Sequence, residues 1–215
     1  MKEIAIYVEG GGNTAQQKSD LRLGFNGLFS ELKKKAEKNK YRWKLILCGG
    51  RQQAYQDFNN ALTNEPQAIN ILLVDSEDPI SLFDKNNDDA KARVKHLKQR
   101  DNWSFSEIKP ERVHLMVQCM EAWIISDAEA LATFYGQGFL ENCLPKRNDL
   151  EEELKSDIEK KLMQATRSTQ KGEYAKIKHA SKLLKIVSPT KIEKRCPRFK
   201  EFVRWLDETI DHKNT

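Results

Sequence analysis

Residues 68–78 read A-I-N-I-L-L-V-D-S-E-D, an apolar run of strand length that ends abruptly in a group of acids. A strand with one wet face alternates polar and apolar residues. This run is apolar almost throughout, as in a parallel strand covered on both faces. The same unit recurs on either side of it. Residues 3–8 (E-I-A-I-Y-V) lead into Glu9-Gly10-Gly11-Gly12, residues 43–48 (W-K-L-I-L-C) into Gly49-Gly50, and residues 113–117 (V-H-L-M-V) toward Glu121. Between the runs lie helical spacings: Leu21, Phe25, Leu28, Phe29 and Leu32 in residues 20–38, and Ala54, Phe58, Ala61 and Leu62 in residues 53–63. Residues 88–99 read as a charged helix and residues 120–135 as an apolar one. Strand–helix alternation of this kind predicts an α/β fold, with about four mainly parallel strands flanked by helices. It leaves the strand order open.

Past Gly136 the strand pattern stops. Residues 150–163, 174–187 and 197–210 read as helices, with Ser188-Pro189 separating the last two. The expected organisation is an α/β domain over residues 1–138. A helical C-terminal region over residues 139–215 is expected to pack on or beside it.

Composition narrows the function. Hydrophobic residues make up 39% and charged residues 32%, enough for a core beneath a heavily charged surface. No stretch approaches the roughly 20 apolar residues that cross a bilayer, so no membrane role is expected. Met1-Lys2-Glu3 runs straight into a strand without the basic start of a signal peptide, and a cytoplasmic location is expected. Cys48, Cys119, Cys143 and Cys196 are too widely spaced for a zinc site and read as small buried hydrophobes. The net charge of +5 is unevenly placed: eleven cations fall between Arg167 and Lys200, opposed only by Glu173 and Glu193. Lys176, Lys178, Lys182 and Lys185 carry the densest part, and the reading is a nucleic-acid surface. Its bland alternative is a solvated helix face.

Function in an open parallel sheet gathers at the carboxyl ends of the strands. Strand one ends at Glu9 and strand three at Asp75, followed by Glu77 and Asp78. Strand four leads to Glu121, with Asp127 about two turns further along the same expected helix. Each acid alone has an ordinary explanation in capping or turn formation. Together they would repel unless a cation neutralised them, and oxygen-rich sites of this kind suit Mg²⁺ or Mn²⁺. The glycines formally fit a dinucleotide fingerprint at Gly10, Gly12 and Ala15. That reading fails at the end of strand two, where Cys48-Gly49-Gly50-Arg51 stands in place of the ribose-binding acid. The polar run 13–20 also reads as unfit to begin a helix packed on a sheet.

The full set comprises V-E-G-G-G at 8–12, C-G-G-R at 48–51, L-V-D-S-E-D at 73–78 and M-E-A-W-I-I-S-D at 120–127. Its apolar strand–Glu9–Gly10 and its apolar strand–Asp75-x-Glu77 resemble the Toprim domain of topoisomerases, bacterial primases and the nucleases of the overcoming-lysogenization-defect group. It resembles more closely the Toprim-like family of the domain of unknown function DUF4276, over most of the first 135 residues. The resemblance implies metal-dependent phosphodiester chemistry, with Glu9 as ligand or general acid/base and Asp75 with Glu77 as the metal pair. Glu77 stands where the Toprim pattern has a second Asp, so Asp78 is its alternative. The resemblance also implies a role in defence against phage beside an ATPase partner. The expected function is therefore a nuclease. Glu9, Asp75, Glu77 and Glu121 would hold one or two Mg²⁺ ions, and Arg51 would brace the phosphate. The rivals are a non-catalytic regulatory or scaffolding subunit that binds the ATPase, and a small-molecule phosphohydrolase or nucleotidyl transferase. DNA against RNA and a homo-oligomeric state stay open.

Overall fold

The computed structural model describes residues 2–80, 89–106 and 108–212. Strand β1 (Lys2–Glu9) is followed by helices α1 (Ala15–Leu28) and α2 (Ser30–Lys38), β2 (Tyr41–Gly49), α3 (Arg51–Asn64), β3 (Ile69–Asp75), α4 (Asp89–Asp101) and β4 (Val113–Met116). Helices α5 (Glu121–Ile125), α6 (Ala128–Tyr135), α7 (Lys155–Thr166), α8 (Lys176–Leu184), α9 (Pro189–Arg195) and α10 (Pro197–His212) complete the chain. The four strands form one sheet in the order β2-β1-β3-β4, and every pairing is parallel.

All seven residues of β3 are buried, as its nearly all-apolar sequence requires of a strand covered on both sides, and the buried Asn70 amide donates to the Ala61 and Glu65 carbonyls. Alternate residues of β1 serve the two faces. Ile4, Ile6 and Val8 join a core with α1, α2 and the helices after β4, whereas Ala5 and Tyr7 join a core with α3 and α4. The chain moves from β1 to β2 in one direction and then crosses back to β3. That reversal puts α3 opposite α1 and α2, as uniformly right-handed crossovers demand. Phe29 lies at the centre of the larger core, with its ring 5.6 Å from Phe202 and 6.4 Å from Trp123. Leu162, Leu183, Phe199 and Leu206 belong to that same core, so the C-terminal helices complete the hydrophobic layer over one face of the sheet.

The α/β architecture and the helical C-terminal extension agree with the sequence reading, but several boundaries do not. The helix expected over residues 20–38 begins at Ala15 and is two helices. Thr14 and Gln17 form a capping box at its start: the Thr14 hydroxyl accepts from the Gln17 N–H, and the Gln17 side chain accepts from the Thr14 N–H. These reciprocal bonds overcome the polarity of residues 13–20 and start a helix where the sequence reading expects none. The break falls at Phe29, which leaves helical geometry while its ring enters the core. The apolar helix of residues 120–135 is likewise broken, because Asp127 caps α6 by accepting from the Ala130 N–H. The helix expected over residues 150–163 runs instead over Lys155–Thr166, after a 3₁₀ turn at Leu150–Glu152. Helix α9, which starts at Pro189, was not expected. The charged helix expected from Asp88 begins at Asp89, and Asp88 itself lies outside the described residues. Three of the four cysteines are buried and Cys143 is half-buried. Among the described residues no helix is long and apolar enough to cross a membrane.

Candidate active site at the carboxyl edge of the sheet

The chain reverses direction between β1 and β3, and there a doubly covered parallel sheet opens a crevice at its carboxyl edge. Glu9 ends one of these strands and Asp75 the other. A register shift after Val8 bends the end of β1, and Gly10 exchanges backbone hydrogen bonds of 2.8 and 2.9 Å with Gly49. Gly10, Gly11 and Gly12 all have positive φ (117°, 95° and 64°), a path that residues with side chains rarely take.

Arg51, the first residue of α3, ties the strand ends together. One guanidinium nitrogen donates to Glu9 Oε2 at 3.1 Å and to the Asp75 carbonyl. The other two donate to the carboxylate of Asp101 at 2.7 and 2.8 Å, and the group lies 5.1 Å from the Trp103 ring centre. One of its five N–H groups has no partner among the described residues. Burial lifts the Glu9 carboxyl above its ordinary pKa; Arg51 works against this and Glu77 adds to it.

Asp75 and Glu121 form the deepest part of the site, 4% and 1% exposed. Asp75 Oδ1 accepts from the Met120 N–H at 2.9 Å, and Glu121 Oε1 accepts from the Tyr174 hydroxyl at 2.9 Å. Their remaining oxygens face one ammonium: Lys176 Nζ stands 3.7 Å from Asp75 Oδ2 and 3.3 Å from Glu121 Oε2. Burial raises Asp75 to about 7, with Lys176 lowering it and the charges of Glu121 and Glu9 raising it further. Burial disfavours charge on Lys176, but Asp75 and Glu121 outweigh this and hold its pKa above the ordinary lysine value. Burial and the neighbouring Glu121 push the Tyr174 hydroxyl well up, so it stays a donor.

The other expected residues fall into separate sets. Glu77 has a positive φ of 68° and pairs with Lys155 at 2.8 Å, while Asp78 pairs with Arg100 at 3.0 Å. Asp127 is not in the Asp75 group: it accepts from Ala130 N, Ser188 N and Lys191 Nζ, a set that joins α6 to α9. Lys178, Lys182 and Lys185 are exposed, and Lys176 alone of the four expected nucleic-acid contacts turns to the carboxylates. Trp123 packs in the core at 1% exposure. Sequence reasoning missed Asp101, Lys155 and Tyr174 as site residues, since nothing local marks a partner that lies dozens of residues away.

Among the described residues, no group of three or more His, Cys, Asp or Glu side chains is arranged to hold a metal. The pair Asp75–Glu121 nevertheless presents two carboxylate oxygens to one point, beside a lysine side chain that is 41% exposed. That donor set suits Mg²⁺ or Mn²⁺, which take one or two carboxylates and complete their shell with water.

The profile of the family described as domain of unknown function (DUF4276) matches residues 8–207. No curated protein and no solved structure matches the chain.

Proposed function

The chain belongs to the DUF4276 family, and from its carboxyl-edge site we propose that it is a Mg²⁺- or Mn²⁺-dependent nuclease that hydrolyses phosphodiester bonds in DNA or RNA. The observation that carries the reading is the convergence of Asp75 and Glu121 beside Glu9 at the reversal between β1 and β3. The Toprim resemblance of the glycine turn after Glu9 and of Asp75-x-Glu77 supports the same chemistry. Asp75 and Glu121 would hold the cation, which supplies Lewis acidity for ionising water and offsetting phosphate charge. Glu9, held in place by Arg51, exchanges the proton; its raised pKa brings it nearer the range in which a carboxyl can both take and release one. Arg51, itself oriented by Asp101, offers its remaining N–H to a phosphate oxygen. The exposed lysines of α8 hold the backbone without reading sequence. By the same resemblance, the setting is defence against phage with an ATPase partner.

The test is cleavage of labelled DNA and RNA with Mg²⁺ or Mn²⁺, alone and with an ATPase encoded nearby. Glu9→Gln keeps the shape of the side chain and should cut the rate at least roughly a hundredfold, the scale of a general acid/base contribution. Asp75→Ala should abolish the rise in melting temperature that the cation causes, because only the folded chain presents the site. Full activity in Glu9→Gln would refute the mechanism.

A second reading has an observation of its own. Glu9, Asp75, Glu77, Asp78 and Glu121 each already have a lysine or arginine partner. A non-catalytic scaffold that binds the ATPase would keep these ion pairs permanently. It predicts no cleavage and no response to the cation.

A further inference from the structure

We propose that Lys176 is an exchangeable counter-ion, whose ammonium holds the point between Asp75 and Glu121 in the metal-free chain and yields it to a divalent cation. The inference rests on the proposed use of that carboxylate pair as a cation site. Two carboxylates this deeply buried cannot both stay ionised without a cation beside them. One ammonium balances only half of their charge. Among the described residues, the other hydrogen-bond partners of the two side chains are fixed groups, the Met120 N–H and the Tyr174 hydroxyl. Lys176 is the movable member.

Its position in the fold allows the movement. Lys176 is the first residue of α8, which is anchored further on by the buried His179, Ala180, Leu183 and Leu184. Lys176 takes no part in capping that end of the helix, where the His179 ring accepts from the Ala175 N–H at 3.2 Å, and the lysine side chain is partly exposed. It can therefore turn outward without unpacking α8. Lys155 differs, since its ammonium is bound to Glu77 and touches neither Asp75 nor Glu121 within ion-pair distance.

Two consequences follow from linkage. An ammonium that occupies the point for all but about a tenth of the time weakens the apparent cation affinity about tenfold. Once displaced, Lys176 joins Lys178 and Lys182 on α8 and adds to the attraction for a polyanion. Cation and nucleic acid should then each strengthen the binding of the other by the same factor.

The experiment measures Mn²⁺ binding to the full chain by the paramagnetic resonance signal of free Mn²⁺. Parent, Lys176→Met and Lys178→Met are compared at one pH and ionic strength. Lys176→Met should bind Mn²⁺ about tenfold more tightly than the parent, while Lys178→Met, which removes the same charge from the exposed face, should match the parent. Equal affinity in the parent and Lys176→Met, lost in Asp75→Ala, would overturn the exchange and leave the cation site standing. No binding in any of these proteins would overturn both. Should Lys176→Met not fold, amine labelling of Lys176 in the parent, read by peptide mass, decides the matter. Mn²⁺ should speed that labelling, and bound Mn²⁺ with an unchanged rate would overturn the exchange.

Discussion

Glu151 shows how one residue's chemistry is set by its surroundings. It is 6% exposed, and it accepts from the Arg198 backbone N–H at 2.7 Å and from the Arg198 guanidinium at 2.8 Å. Burial nevertheless dominates and raises its carboxyl from the ordinary 4.5 to about 7, against the pull of Arg198. Between these two values the folded chain holds a proton that the unfolded chain has released. The contribution of Glu151 to stability is therefore fullest below about pH 4.5, falls as pH rises to about 7, and is flat above that. Glu151→Gln removes the dependence. Relative to the parent, the variant should gain of the order of 2–3 kcal/mol between pH 4.5 and 7, read by urea unfolding at several pH values. A difference that does not change with pH would mean that Arg198 keeps the carboxylate ionised throughout. The same opposition between burial and a cationic partner operates at Asp75 and Glu9.

Among the elements, the contact of α1 with α8 matters most, because α8 brings Lys176 to the site. The two helices approach through glycine. A Cβ at Gly24 would lie 2.6 Å from the Ser181 carbonyl oxygen and 2.8 Å from its Cα, both backbone atoms with little freedom to move. Alanine favours a helix by about 1 kcal/mol over glycine, but overpacking commonly costs 1–3 kcal/mol. Gly24→Ala should therefore lower stability by about 1 kcal/mol in urea unfolding, despite its better propensity. An unchanged or higher midpoint would show that the helices have room to separate. The start of α1 is misread from the sequence, where the polarity of residues 13–20 hides Thr14-x-x-Gln17, a capping box whose local signal outweighs it. The break at Phe29 was not legible. The apolar spacing runs on through residues 28–32 and does not mark Phe29, whose ring packs among Phe199, Phe202 and Trp123.

Across the whole molecule, charge is divided between interior and surface in a way the count of cations conceals. Of the eleven between Arg167 and Lys200, four serve internal partners: Lys176, Lys191, Arg195 and Arg198. The other seven are exposed, with Lys178 and Lys182 along α8 and Lys185 just past its end. Replacing these three with Glu should weaken nucleic-acid binding and flatten its dependence on salt, by roughly 0.9 in the logarithmic slope for each lost phosphate contact. Fluorescence anisotropy over a salt series would measure this, and an unaltered slope would make the face a solvated surface. The sequence by itself determined the parallel α/β sheet, because burial on both faces is written into runs such as residues 68–74. It also placed Glu9 and Asp75 at one edge, since each directly ends a strand and all parallel strands end on the same side. Only the tertiary structure decided what those acids meet. Arg51 finds Asp101 fifty residues away, and Asp75 shares Lys176 with Glu121. Periodicity and capping act between neighbours in the chain, whereas the partner of a buried charge is chosen by which helices pack together, here through Gly24 of α1 and the backbone of α8.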